Sequence, residues 1–380
     1  MRRMHEEAEV IVVGAGPSGL SVGACLRSRG VSFEILERSS DVGASWRNHY
    51  ERLHLHTVQR FSALPGMPWP AGTPTYPSRA QMVAYLEAYA RGFDLNPRFG
   101  EDVRAARRVD SGFVLRTEAN EYRSRALVVA TGYNRVPNIP AWPGEESFGG
   151  PILHSSRYKN GEPYRGKRVL VVGAGNSGAE IALDLWEHGA RPALSVRGPV
   201  HVIPRDLTGV PSQMSSLFLF SRLPSKVADA VSLFVLDRAL GDLRPYGFTR
   251  PEIGPISQVV LKKRVPLIDV GTLELVKQGQ IDVMKDVRSF SPGEVHFADG
   301  ATRPFDAVVL ATGYRTGIAE YFEDAEGWLD ERGYPRYFGE PVPGAPGLFF
   351  VGYRNPLTGA LHDIAIEAQR IAEHLAGEKR

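Results

Sequence analysis

An α/β fold built twice over, each half around a buried parallel sheet, is predicted by three observations. Gly14-Ala15-Gly16-Pro17-Ser18-Gly19 and Gly173-Ala174-Gly175-Asn176-Ser177-Gly178 are two copies of one glycine pattern, about 160 residues apart. Each copy comes after an apolar run, Val10-Ile11-Val12-Val13 or Val169-Leu170-Val171-Val172, and opens an Ala-rich segment. Such runs read as strands buried on both faces, and the Ala-rich segments read as helices. The third observation is an echo: Leu127-Val128-Val129-Ala130-Thr131-Gly132-Tyr133 returns as Val308-Val309-Leu310-Ala311-Thr312-Gly313-Tyr314. The duplication therefore extends beyond the loops, and the fold expected is a pair of Rossmann-like dinucleotide-binding domains.

The glycine loops carry chemistry because of what lies in front of them. Glycine allows the tight turn, the approach of backbone to a pyrophosphate and the close packing of helix on strand, while the helix start offers free amides and partial positive charge. What separates the copies is the end of the next strand, where the ribose is read. Phe33-Glu34-Ile35-Leu36-Glu37-Arg38 places Glu37 about twenty residues past the first glycine, which suits a carboxylate accepting from ribose hydroxyls. Ala193-Leu194-Ser195-Val196-Arg197 carries no acid there and ends in Arg197, whose guanidinium can pair with a 2′-phosphate. The first site is thus expected to take FAD and the second NADPH.

Past the first two strands, an irregular Pro/Trp/His-rich stretch runs from Trp46 to Pro77, and a helix from Ser78 to Phe93 has Ser78 as its cap and Met82, Leu86 and Tyr89 on one face. Val103-Val109, Phe113-Thr117 and Tyr122-Val129 read as short antiparallel strands, and Pro137 to Pro143 as the crossing between domains. Ser215 to Leu240 is the longest apolar region, but Arg222, Pro224, Lys226, Asp229 and Asp237 interrupt it, so it reads as one or two buried or pocket-lining helices. Membrane contact, considered for Leu217-Phe218-Leu219-Phe220, is not expected, because the flanks are not notably basic. After Tyr314 the chain must return to the first domain, where Gly347 to Gly352 supplies another buried strand and Asp363 to Leu375 the closing helix. The divisions expected are 1–155 for the first part of the FAD domain, 156–315 for the NADPH domain and 316–380 for the return segment.

Composition narrows the function classes. A chain of 380 residues, 43% hydrophobic, has core enough for two domains, and a net charge of +2 without a basic, aromatic-interleaved run argues against nucleic acid. The single cysteine, Cys25, excludes a disulfide framework and a Cys-x-x-Cys relay from flavin to thiol. No metal site is expected. Met1 to Glu9 is too short and acidic for a secretory signal, so a cytoplasmic enzyme, monomer or homodimer, is expected.

Between the halves, Phe148-Gly149-Gly150-Pro151-Ile152-Leu153-His154-Ser155-Ser156-Arg157-Tyr158-Lys159 matches FxGxxxHxxx(Y/F)(K/R) in full. With a glycine fingerprint on either side, this resembles the class B flavin-dependent monooxygenases. Arg52-Leu53-His54-Leu55-His56-Thr57, Pro74-Thr75-Tyr76-Pro77, Val200 to Arg205, Arg250-Pro251 with Gly254-Pro255, and Leu267 to Leu273 narrow the likeness to the YUCCA-type branch, almost end to end. The resemblance implies FAD on Gly14, Gly16, Pro17, Ser18, Gly19, Glu37, Arg38, Ser45, Trp46 and Arg47. It implies NADPH on Gly173, Gly175, Asn176, Ser177, Gly178, Ser195 and Arg197. The strand ends Thr131-Gly132 and Thr312-Gly313 are expected to border the two sites. His154 stands either as a hinge or packing residue or as a catalytic one; its neighbours are those of a connector.

The implied reaction uses O₂ and a small-molecule substrate, through a flavin C4a-(hydro)peroxide kept from water. An amine- and sulfide-oxidising branch has Asn where this chain has His56-Thr57, which makes His56 and Thr57 the catalytic candidates. A His there either biases the peroxide toward carbonyl attack or merely packs. Three readings result: oxidative decarboxylation of an aryl 2-oxo acid such as indole-3-pyruvate; N- or S-oxygenation or Baeyer-Villiger chemistry on another metabolite; or an uncoupled NADPH oxidase. Arg205, Arg244 and Arg250 are the candidate partners of a substrate carboxylate.

Overall fold

The computed structural model describes residues 3–4, 7–218, 222–356 and 358–377; Leu219 and Phe220 of the apolar Leu217 to Phe220 run lie outside them. The spine of the first sheet is the strand Asn120–Val129. On one side it pairs in parallel with Ala8–Val13, which pairs in turn with Phe33–Glu37. On the other side its first half pairs antiparallel with Gly112–Arg116, and its second half pairs in parallel with Leu348–Phe350. One long strand therefore serves both the nucleotide-type sheet and a meander, and the returning chain fills the gap where the meander leaves off.

The second sheet is wholly parallel, in the order Asp282–Met284, Arg191–Ser195, Arg168–Val172, Ala307–Leu310, Ile152–His154. Its central strands, Arg168–Val172 and Ala307–Leu310, are buried on both faces, as their apolar runs require. Ile152–His154 belongs to this sheet, so the second unit begins before the division expected at residue 155. The halves are tied by a short antiparallel ladder, Val136–Pro137 with Tyr314–Arg315.

The helices obey their sequence signals. Arg79–Gly92 starts at a capping box in which Ser78 accepts from the Gln81 amide and the Gln81 side chain accepts from the Ser78 amide. The closing helix is Ala360–Gly377, and it packs on the first glycine-loop helix, Pro17–Ser28, burying Ile364, Ala368 and Ile371. The region Ser215 to Leu240 forms parts of two helices, Ser212–Phe218 and Ser225–Leu240, as expected in number, but the second is not buried as expected: Val227, Val231, Phe234 and Val235 are exposed on it. Among the described residues no helix is long and apolar enough to cross a membrane. Cys25 is buried, and burial raises its thiol to about 11, which fits a core residue and not a reactive thiolate.

Candidate active site between two matched nucleotide cradles

In the first loop Gly14 has φ +110°, and a Cβ on it would lie 2.7 Å from the Ala130 carbonyl oxygen. A Cβ on Gly19 would lie 1.8 Å from the Gly14 carbonyl oxygen, while one on Gly16 would meet no described atom within 4 Å. The outer glycines are thus demanded by packing, and the middle one leaves open the space before the helix. The second loop repeats this: Gly173 has φ +116° and stands 2.5 Å by the same measure from the Ala311 oxygen, Gly178 stands 1.8 Å from the Gly173 oxygen, and Gly175 faces open space. Gly16 and Gly175 cap their helices without any side-chain acceptor, so the first amides remain available for an anion. Pro17 at the first helical position removes an amide that no helix bond would use. The return segment completes the first cradle alone, since Gly352 presses so close to Ser18 that a Cβ there would lie 2.0 Å from its hydroxyl.

Glu37 is buried at the end of its strand, accepting from the Ala15 amide at 2.7 Å and from the Ser39 amide and hydroxyl at 2.9 and 2.8 Å. A carboxylate has about four acceptor positions, so this arrangement holds it in place and leaves capacity for a ribose hydroxyl. Arg38 next to it is exposed. In the second unit Ser195 turns inward to donate to the Lys285 carbonyl, whereas Arg197 is exposed. Lys285, exposed at the end of the neighbouring strand, adds a second cation at this edge. Sequence reasoning missed it because only the sheet order brings residues 197 and 285 together. Asn176 is likewise turned to the protein, accepting from the Ile268 amide at 2.7 Å.

The echoed Ala-Thr-Gly ends part ways. Thr131 bonds the Tyr353 hydroxyl at 2.7 Å, and Thr312 donates to the Asn138 carbonyl of the crossing strand at 2.6 Å. Gly132 and Gly313 have positive φ at the corresponding turns. His154 is buried against Gly313 and Ser156. Its Nδ1 accepts from the Ser156 amide at 3.1 Å, which puts the ring hydrogen on Nε2, where it donates to the Gly313 carbonyl at 3.0 Å. Burial holds its pKa below the ordinary value. Both nitrogens are committed, which supports the connector role. Its motif partners agree: Phe148 packs on Phe290, Tyr158 bonds Asp184, and Lys159 reaches across to the Asn48 carbonyl.

Around the cleft, Gly43 accepts the helical turn Ala44–Asn48 and ties it to the first loop through its amide on the Ala15 carbonyl, setting Ser45 and Trp46 at the edge of that cradle. Arg47 instead pairs with Glu87 and the Val42 carbonyl. His56 hydrogen-bonds through Nε2 to Glu180, a buried carboxylate on the second glycine-loop helix, Asn176–Glu187. The Tyr50 hydroxyl lies near both Glu180 and Ser177. Thr57 bonds Ser62 at 2.8 Å. Gln213 spans two loops, accepting from the Val58 amide at 2.6 Å and donating to the Thr358 carbonyl at 2.5 Å. Glu180, Tyr50 and Gln213 went unseen in the sequence; a lone acid on the apolar face of an Ala-rich helix was the one available signal. Of the arginines, Arg244 is taken by Asp242, Arg250 by Asp237 and Arg205 by Asp206 at 3.2 Å, with Arg205 also 4.0 Å over the Tyr76 ring.

Residues 11–206 match the pyridine nucleotide-disulphide oxidoreductase family. The chain is 42% identical over 355 residues to an indole-3-pyruvate monooxygenase, YUCCA1, of Oryza sativa subsp. japonica, covering 90% of this chain and 86% of that one. It is 40% identical over 385 residues to the indole-3-pyruvate monooxygenase YUCCA6 of Arabidopsis thaliana, covering 98% and 91%. In fold it resembles a flavin-containing monooxygenase from Stenotrophomonas maltophilia, with a TM-score of 0.75 at 23% identity over 99% of this chain and 100% of that one. The fold is that of the two-dinucleotide-binding flavoproteins, and the chain belongs to the YUCCA branch of the flavin-dependent monooxygenases.

Proposed function

We propose that this chain uses FAD, NADPH and O₂ to decarboxylate an aryl 2-oxo acid oxidatively, with indole-3-pyruvate as the substrate. The acid, O₂, NADPH and a proton yield an acid with one carbon fewer, CO₂, NADP⁺ and water. The observation that carries the reading is the pair of cradles, alike in backbone and opposite at the ribose edge, with Glu37 in one and Arg197 in the other. The substrate is taken from the rice and Arabidopsis relatives.

Bound FAD supplies hydride acceptance and oxygen activation. The protein's own work is placement. Gly14 to Gly19 and Glu37 hold the FAD pyrophosphate and ribose, with Ser45 and Trp46 alongside; Gly173 to Gly178, Arg197 and Lys285 hold NADPH. Thr131 and Thr312 contribute by fixing the turns beside these loops, and Arg47, Asn176 and Ser195 by bracing them. His56 and Thr57 face the reaction site, where Gln213 pins their loop to the return segment and helps close it to water. Arg205, Arg244 and Arg250, the candidates for the substrate carboxylate, each pair with an acid, Asp206, Asp242 and Asp237, which the substrate would have to displace. The division at 1–155, 156–315 and 316–380 goes with this reading, moved earlier at its first edge by Ile152–His154. So do a cytoplasmic setting and a monomer or homodimer.

The test is anaerobic reduction of the purified flavoprotein by NADPH and by NADH, then air with indole-3-pyruvate. Faster bleaching by NADPH, with indole-3-acetate formed in proportion to NADPH consumed, is the expected result. Peroxide output indifferent to the acid would replace this reading with an oxidase, and product from a ketone, amine or thioether alone would move the substrate class.

A further inference from the structure

His56 comes from the loop of the first unit that the proposed reaction places beside the flavin, while Glu180 comes from the helix that opens with the second glycine loop. Only 2% of the Glu180 side chain is exposed, against 17% for His56. A carboxylate so buried is stable only with donors, and the His56 Nε2 that donates to it comes from the other unit. The Tyr50 hydroxyl, from the same loop, lies near Glu180 and near Ser177 of the phosphate loop. The loop that carries His56 is therefore clamped onto the helix that presents the second cradle.

We infer that Glu180 is a positioning residue: by accepting from Nε2 of His56 it fixes the ring's orientation and tautomer, leaving Nδ1 to face the reaction site. An imidazole with one nitrogen tied to a carboxylate has its free nitrogen defined by that bond, the arrangement by which a His is made to act from one side only. The clamp also makes the imidazole's placement depend on the helix that holds the nicotinamide nucleotide. This inference rests on the proposed function for the location of His56, but not for the identity of the substrate.

The ring nitrogens of His56 are read by ¹⁵N NMR of histidine-labelled protein, assigned with a His56→Asn variant. Hydrogen on Nε2 in the wild-type protein is expected; hydrogen on Nδ1 overturns the inference, and neither result depends on turnover. Glu180→Gln should then mix the tautomers while flavin content and the KM for NADPH stay within about twofold, and product formed per NADPH should fall about tenfold. Glu180→Asp, which keeps the acceptor, should recover part of that loss. The double variant with His56→Asn should be no worse than His56→Asn alone, whereas multiplied losses would show that Glu180 does not act through His56. If Glu180→Gln fails to fold, the wild-type tautomer decides; if indole-3-pyruvate gives no product while hydrogen sits on Nε2, the substrate falls and the positioning role stands.

Discussion

Gly19 and Gly178 occupy the same place in two loops, and a Cβ on either would come within 1.8 Å of its own loop's first carbonyl oxygen. Glu37 and Arg197, at the ends of the strands after those loops, have opposite charge, and one is buried and tethered while the other is exposed. The backbone solution has been kept twice to within tenths of an ångström, and the choice of ligand has been left to side chains at the rim. Packing demand and ligand demand therefore fall on different residues, and they can be separated experimentally.

The largest effect should come from Gly19→Ala and Gly178→Ala, where the added methyl meets backbone that cannot yield. Each should destabilise its unit by about 3 kcal/mol or more, seen as a lowered urea midpoint, with flavin lost from the first variant. Gly16→Ala and Gly175→Ala are the contrast. Both positions have extended backbone and open space, so stability without nucleotide should change by less than about 1 kcal/mol while nucleotide affinity falls. Equal destabilisation by the two kinds of substitution would break the comparison. Next in size is Arg197→Gln, which should lower the preference of kcat/KM for NADPH over NADH by roughly 10- to 100-fold and leave flavin content alone, the scale of one charge-assisted contact. Lys285→Gln should do the same to a lesser degree.

The two cradles, the parallel strands and the return of the chain were legible because each rests on a local signal: an apolar run, a glycine at a fixed offset, a capping Ser78. What stayed hidden depends on contacts between distant segments. Ser195 and Asn176 look like ligand contacts in sequence, yet their side chains satisfy the Lys285 carbonyl and the Ile268 amide across the fold. Ile152–His154 has too few residues to announce which sheet it joins. The buried Glu180 is invisible as a partner of His56 until two units meet.

Each unit also buries a carboxylate on a helix, Glu180 in the second and Glu367 in the first, and here the solutions diverge. Glu180 has a side-chain donor in His56, whereas Glu367, on the closing helix, accepts from the Gly352 amide at 2.9 Å and leaves its other oxygen without a partner among the described residues. Burial pushes Glu367 from 4.5 up to about 7. Because its folded pKa is raised, the stability linked to its protonated form is present in full below about pH 4.5 and is lost as pH climbs through 7. Glu367→Gln, which stays neutral and keeps an acceptor for Gly352, should be no more stable than wild type at pH 5 and more stable at pH 8 by roughly 1–2 kcal/mol, since relaxation absorbs part of a buried charge's penalty. Parallel wild-type and variant curves across that range would show that Glu367 finds a partner when ionised.

The smallest effect tests the echo itself. Thr131 and Thr312 hold one place in the repeated Ala-Thr-Gly, but the hydroxyl of Thr131 meets the buried Tyr353 hydroxyl, and that of Thr312 meets a carbonyl on exposed Asn138. Thr131→Val strands a buried polar atom; Thr312→Val uncovers one that water can reach. The first should cost about 1–2 kcal/mol and the second less than about 0.5 kcal/mol in denaturant melts. Equal costs would mean that the crossing strand Val136–Pro137 needs its threonine as much as the return segment needs its own. The expected inequality says instead that a motif copied in sequence has been given a structural load in one unit, holding the returning chain, that its twin does not bear.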